Sequence, residues 1–456
     1  MIVDPRNSSN SGNRLPRRRV VLVDFIWTRD RDPRVPLGQA SLHAALAQEP
    51  ACEVRTMTFP VNGRARTAHE IAAEILDQVA NRPADQVDIA LGVYVWGENL
   101  IQQVLPLLRQ RGFRGRIILG GPQISYSGPG IDRVYPDADV FVRGYGEDAL
   151  RILARTSGQP ALTGVHYAAQ PDLAQQAEVD LAALPSPLLK FGSEVISAER
   201  ARWETERGCP FRCAFCQHRE AGARLRQRHF SEARISREIE VLCESQPAKL
   251  SVLDPIFDTG PRGAAILERL ARGGFRGQVS LQCRPEMTTA DFLREASKLD
   301  VFLEFGLQTI HDLEGRAINR RNNMERVGAT LTRVHAAGLN HMVSLIYGLP
   351  HQTLASFKES VRWCLERRIP VIKAFPLMLL RGTGLDQDRD RWGLVEDGQA
   401  MPRVIASSSF TTSDWNEMDK IFAALESTEG HHPSNLRSLL EVASTMRPTS
   451  SRWQPV

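Results

Sequence analysis

The chain lacks any apolar run near the ~20 residues that a bilayer-spanning helix requires. Its first such run, Val20-Val21-Leu22-Val23, is ended by Asp24 and is also too short for the apolar region of a signal peptide. Excess charge is equally scarce. Across 456 residues, 57 Lys and Arg face 53 Asp and Glu, and the resulting +4 is too small to argue for nucleic acid. Much of that excess sits near the N-terminus, in residues such as Arg17, Arg18 and Arg19. Cysteine is sparse and odd in number, seven in all, so a disulfide framework is not indicated. These absences lead to an expectation of a cytoplasmic protein with neither a membrane nor a nucleic acid as partner. A hydrophobic content of 42% and a charged content of 24% are those of an ordinary globular protein, and the length suits two or three domains.

Three of the seven cysteines are gathered. Cys209, Cys213 and Cys216 stand at the spacing C-x3-C-x2-C within Trp203–His218, WETERGCPFRCAFCQH. Gly208 and Pro210 interrupt any regular element there, which predicts a curled loop with inward-facing sulfurs. Such a loop is a nest of soft ligands, suited to zinc or to an iron–sulfur cluster. His218 would complete a zinc site, although zinc ligands usually come as two separated pairs and no second pair follows. The other reading is a 4Fe-4S cluster held by three thiolates, with one iron left open to bind a small molecule. Cys52, Cys243, Cys283 and Cys364 fall within helix or strand patterns and read as small apolar residues.

Along the chain, residues 1–18 are rich in Asn, Ser, Pro and Arg and are expected to be disordered. Residues 19–155 alternate short apolar runs (20–25, 52–59, 87–96, 115–122, 137–147) with helical patterns. That alternation predicts an α/β, doubly wound parallel sheet of the Rossmann or flavodoxin-like kind. Glycines recur where its strands should end: Gly97, Gly120, Gly121, Gly144 and Gly146. Single glycines make turns; a series at successive strand ends suggests a flat ligand lying over the sheet edge. Residues 156–195, with Pro185 and Pro187, read as a stiffened linker. Residues 196–385 hold six more strand–helix units, predicting a partial (β/α)6 barrel with its active residues at the strand carboxyl ends. Glu304, Gly306 and Gln308 alternate on one face of the fourth strand of that barrel. The C-terminal region, 386–456, shows no motif.

The cysteine spacing, with Phe215 before the last cysteine, resembles the radical SAM enzymes, whose open iron chelates S-adenosylmethionine (SAM). The first half is similar to the cobalamin-binding domain that precedes many such cores. The matching pieces are Pro36-Leu37-Gly38, Gly120-Gly121-Pro122 and the G-x-G-E of Gly144, Gly146 and Glu147. The resemblance covers the first domain and roughly residues 195 to 385. It implies three cofactors: a 4Fe-4S cluster on Cys209, Cys213 and Cys216, SAM, and cobalamin. It assigns SAM contacts to Phe215, Asp254, Glu304, Gln308 and Arg320, with Arg321 the less favoured neighbour. It assigns cobalamin contacts to Thr28, Arg29, Leu37, Gly38, Gly97, Gly120, Gly121, Pro122, Gly144, Gly146 and Glu147. The loop after the first strand carries no histidine, so the cobalt is expected to lack a histidine lower ligand, with Arg29 or Arg34 beneath the corrin. His351 stands where the family's G-L-P-G-Q-T loop has glycine.

The function so implied is a cobalamin-dependent radical SAM methyltransferase. It would carry methyl from SAM through cobalamin to an unactivated carbon, or phosphorus, of a natural-product or peptide substrate. An external one-electron reductant of flavodoxin or ferredoxin type is implied as partner. Two other readings are a non-methylating tailoring enzyme using the same cofactors and a cluster- or cobalamin-based sensor. A methylthiotransferase is disfavoured, because the first domain holds no additional cysteine cluster.

Overall fold

The computed structural model describes residues 18–28, 36–62, 66–218, 227–257, 260–399 and 401–445. Residues 1–17 lie outside it, as do Arg29 and Arg34.

The first domain is a six-stranded sheet in the order β2-β1-β3-β4-β5-β6. Its strands are β1 (Arg18–Ile26), β2 (Cys52–Pro60), β3 (Val87–Gly92), β4 (Arg116–Gly120), β5 (Val140–Val142) and β6 (Val165–Tyr167). The first five are parallel and β6 runs antiparallel along the edge. Helices cover both faces, so the central strands are apolar on each side, and Val20 to Phe25 of β1 are all buried. Strand order reverses between β1 and β3. In such sheets a ligand crevice opens at that point, outside the strand carboxyl ends. Helices α1 (Leu37–Leu46), α3 (Glu98–Gln110) and α5 (Glu147–Arg155) begin at that end of the sheet.

The second domain is a sheet of six parallel strands, β14-β13-β12-β11-β10-β7, whose two end strands do not pair with each other among the described residues. These are β7 (Arg200–Trp203), β10 (Lys249–Val252), β11 (Gln278–Cys283), β12 (Val301–Gln308), β13 (Asn340–Tyr347) and β14 (Val371–Pro376). A two-residue ladder, β8 (Glu206–Arg207) with β9 (Arg228–His229), follows β7. β12 shows the expected alternation. Val301, Leu303, Phe305 and Leu307 are buried against the helices, whereas Phe302, Glu304, Gly306 and Gln308 are half-buried on the other face.

The stretch 156–195 is built into both domains rather than strung between them. It supplies β6 to the first sheet, while Val179, Leu181, Leu184 and Leu188 join the hydrophobic core of the second domain. Leu37, from the first domain, belongs to that same core. The C-terminal region is equally committed. Helix α15 (Thr412–Ser427) opens on a capping box, Thr411 with Asp414, and buries Trp415, Met418, Ile421 and Phe422 in the barrel core. Among the described residues, no helix is long and apolar enough to cross a membrane.

Candidate active site

At the reversal point between β1 and β3, a cavity of about 370 Å³ opens between the two domains. That volume lies in the ~300–1,000 Å³ range of small-molecule and cofactor sites. One wall is the first sheet's carboxyl edge: Asp24, Gly38, Gly92, Tyr94, Gly120, Gly121, Gly144 and Gly146. The opposite wall is Glu204, Glu206, Arg207 and Gly208, leading into the cysteine loop, with Leu253 and Pro255 beside them. Leu37 and Glu147 complete the set of expected corrin contacts that line it. Thr28, Gly97 and Pro122 do not. Thr28 is tied to Asn62, its amide donating to Oδ1 at 2.7 Å. Gly97 caps α3 where a Cβ would lie 2.7 Å from that of Phe25. Pro122 opens the short helix α4 (Pro122–Ser125).

The glycines of the wall divide in two. Gly121 and Gly144 have φ of +96° and +79°, and a Cβ on them would approach backbone at 2.9 and 2.5 Å, so the fold itself demands glycine there. Gly38, Gly120 and Gly146 are different. Their φ values are ordinary, and a Cβ would meet nothing closer than 3.5, 3.6 and 3.5 Å respectively. A side chain there would project without local clash, and its absence keeps this edge of the cavity open. The adjacent Tyr94 ring stacks on Trp96 at 4.7 Å and 8°, with the Trp96 indole N–H donating to the Phe25 carbonyl at 2.7 Å. A stacked aromatic pair beside a glycine edge suits a broad, flat, largely apolar ligand.

The cysteine loop is held from several sides. Ala214 N–H donates to the Ile318 carbonyl at 2.8 Å, and Leu385 N–H donates to the Ala214 carbonyl at 2.9 Å. Cys209 and Cys213 are buried and Cys216 half-buried. Burial raises Cys209, and raises Cys216 to about 11, with the neighbouring thiols adding to both shifts. Among the described residues, no three Cys, His, Asp or Glu side chains are gathered as one metal ion requires. His218 is exposed, and its amide N–H, not its ring, donates to Cys216 Sγ. The His218 ring thus makes no contact with the Cys216 sulfur that would mark it as a fourth zinc ligand.

Arg320 stands beside Cys213. One guanidinium nitrogen donates to Cys213 Sγ at 3.8 Å and the other to the Gly306 carbonyl, while Nε is buried without a hydrogen-bond partner. Glu304 accepts from Ser280 and, at 3.5 Å, from Gln282. Gln308, at φ +71°, follows a register shift that starts at Gly306. Phe215 is half-buried against the barrel core. Gln308 and Arg320 both approach Gly306, where a Cβ would lie 2.8 and 3.3 Å from their side-chain nitrogens, while Glu304 lies one position back on the same strand face.

Asp254 is placed otherwise. It is 1% exposed, and its carboxylate accepts from the amides of Thr205 (2.7 Å) and Glu206 (3.2 Å) and from the Thr205 hydroxyl. It fastens the strand leading into the cysteine loop and is not among the cavity-lining residues. Burial, with the Glu206 charge adding to it, raises its carboxyl from 3.8 to about 7. The folded chain thus holds that proton more tightly than the unfolded one, and the stability this gives is lost as pH rises from about 4 to about 7. Asp254→Asn is expected to tolerate the site, because the amide oxygen still accepts from both backbone N–H groups. Its urea midpoint should gain on wild type across that window and run parallel above it. A constant difference between the two at every pH would refute the assignment.

Three residues of the site carried no motif. Arg207 pairs with Glu147 of the first domain at 2.7 Å and with Glu204 at 2.8 Å. Arg284 lies over the Phe211 ring of the cysteine loop, 4.4 Å from its centroid. Arg381 reaches Glu98 of the first domain at 2.7 Å. Only Arg207 had a local signal, a charge immediately before Gly208-Cys209.

A three-cysteine loop after the first strand of an open parallel barrel, behind a doubly wound sheet, defines a radical SAM domain with a Rossmann-like domain before it. Residues 203–364 match the model of the Radical SAM superfamily, a radical SAM domain within the longer chain. Among curated relatives, the cobalamin-dependent radical SAM methyltransferase TokK of Streptomyces tokunonensis is 26% identical over 309 residues, covering 61% of this chain and 44% of that protein. The 2-(S-pantetheinyl)-carbapenam-3-carboxylate methyltransferase of Streptantibioticus cattleyicolor is 27% identical over 363 residues, covering 74% and 50%. The chain thus spans about half the length of the curated relatives it matches. The radical SAM methyltransferase TsrM from Kitasatospora setae, solved with cobalamin and a 4Fe-4S cluster bound, has the same fold. Its TM-score is 0.66 at 16% identity, over 85% of this chain and 82% of that one.

Proposed function

We propose that the chain is a cobalamin-dependent radical SAM methyltransferase acting on a small molecule or peptide, fed by an external one-electron donor of flavodoxin or ferredoxin type. The observation that carries this reading is the cavity walled by both domains, glycine edge on one side and the approach to the cysteine loop on the other. The two curated relatives, both named as methyltransferases, support it.

In this reading Cys209, Cys213 and Cys216 hold the cluster. Arg320, Glu304 and Gln308 bind SAM beside it. Gly38, Gly120 and Gly146 leave the first sheet's edge open to the corrin, with Tyr94 against it. Bound there, the cluster and SAM supply one-electron cleavage chemistry and the corrin supplies a transferable methyl group. The protein's own contribution is to orient these groups face to face and to keep water from the gap. The positive charge of Arg320 opposes the upward pull of burial on Cys209 and Cys216 and so favours the thiolate form that a cluster requires.

The test is anaerobic reconstitution with iron, sulfide and hydroxocobalamin, followed by incubation with SAM bearing a deuterated methyl group and a low-potential reductant. About four irons and one corrin per chain are expected, with the deuterated methyl recovered on the corrin by mass spectrometry. A cluster without corrin would leave a radical SAM protein of another kind. Zinc in place of iron would sink the reading entirely.

A further inference from the structure

The cysteine loop is tied to the first domain at both ends. After it, the Gln217 carbonyl accepts from the Tyr126 hydroxyl at 2.9 Å, and its side chain donates to the Arg381 carbonyl at 2.8 Å. Arg381 in turn reaches Glu98, and Gly382 packs so closely that a Cβ would lie 2.5 Å from the Tyr126 carbonyl. Before the loop stands Arg207, two residues from Cys209 and one-tenth exposed in its side chain. Its guanidinium lies between Glu147 at the start of α5 and Glu204 at the end of β7, and it also donates to Ser41 of α1 at 3.2 Å. The rings of Tyr145 and Phe230, one from each domain, lie 5.1 and 5.6 Å away. Glu147, Glu204 and Arg207 all line the cavity.

A planar guanidinium shared by carboxylates from two domains, with aromatic faces against it, has essentially one geometry that satisfies every partner. We propose that Arg207 is a positioning residue that sets the gap between the cysteine loop and the glycine edge, and hence between the two cofactors. The inference rests on the two-cofactor reading above. A buried pair that merely adds stability would hold the domains together without governing the loop. Arg207, covalently adjacent to the Gly208-Cys209 turn, moves the loop when it moves.

The test compares full-length wild type with Arg207→Met, Arg207→Lys and Arg116→Met. The last breaks the buried pair with Asp88 at the opposite end of the first sheet and controls for lost stability. In the protein without cofactors, hydrogen–deuterium exchange of residues 208–217 is expected to rise about tenfold in Arg207→Met. Lysine should give an intermediate value, because it keeps the charge but not the fork, and Arg116→Met should give no rise. After reconstitution, iron and corrin content should match wild type, while the cob(II)alamin–cluster distance distribution from pulsed electron paramagnetic resonance broadens only in the Arg207 variants. Unchanged exchange in Arg207→Met, or an equal rise in Arg116→Met, overturns the proposal. Wild type that takes up no corrin defeats the functional reading instead, and the exchange comparison still decides what Arg207 does.

Discussion

Alanine at Cys209, Cys213 and Cys216 together is expected to reduce bound iron from about four atoms per chain to about none and to abolish every SAM-dependent reaction, while corrin binding persists. The three thiols lie in a loop whose main anchors are backbone hydrogen bonds, through Ala214 to Ile318 and to Leu385, with longer contacts from Arg320 to Cys213 Sγ and from the His218 amide to Cys216 Sγ. Removing them deletes ligands without removing the loop's main anchors. The first domain's core contains none of these cysteines, so its half of the cavity should be intact. Iron analysis and the ultraviolet–visible spectrum of bound corrin read the two outcomes separately. Loss of corrin together with iron would mean that the two sites are not independent.

The mirror-image prediction concerns Gly38. A Cβ there meets only the Tyr94 hydroxyl, at 3.5 Å, and the residue occupies the second position of α1 with an ordinary φ. Glycine is a poorer helix former than alanine by roughly 0.8–1 kcal/mol, and leucine ranks just after alanine, so Gly38→Leu should fold at least as stably as wild type. Its side chain, however, has nowhere to go but the cavity that Gly38 lines. Corrin affinity is expected to fall about 100-fold or more, ~2.7 kcal/mol, with iron content and melting temperature unchanged. Equilibrium titration with hydroxocobalamin measures this directly. A variant that binds corrin as wild type does would place that ligand elsewhere. The same change at Gly144 would not be informative, because there the backbone itself requires glycine.

The two sheets were legible because strands of parallel sheets are buried on both sides and so appear as short apolar runs, as Val20 to Val23 do. The cysteine loop was legible because soft ligands at short spacing rarely have another reason to be together. The glycines were only half readable. Gly97, Gly121 and Gly38 look alike in sequence. One avoids Phe25, one has a left-handed backbone against Val93, and one leaves a cavity open; the distinction lies in neighbours that only the tertiary structure supplies. Asp254 misled for a related reason. A carboxylate at a strand end reads as a ligand group until its backbone partners, Thr205 and Glu206, are seen. Of the arginines that join the domains, Arg381 could not be read at all. Arg381 and Glu98 are 283 positions apart, and no local periodicity encodes such a pair.

The stretch 156–195 has a consequence for how the chain comes apart. Because it gives a strand to one sheet and several leucines to the other core, no cut near residue 195 separates two finished pieces. The first piece would carry Val179 to Leu188 bare of their cover, and the second would keep Arg207 without Glu147. The chain should therefore melt as one calorimetric unit rather than two and should resist limited proteolysis through this stretch. The gap between its two halves is then expected to be lost and regained together with both cores, with no state in which two finished halves stand undocked.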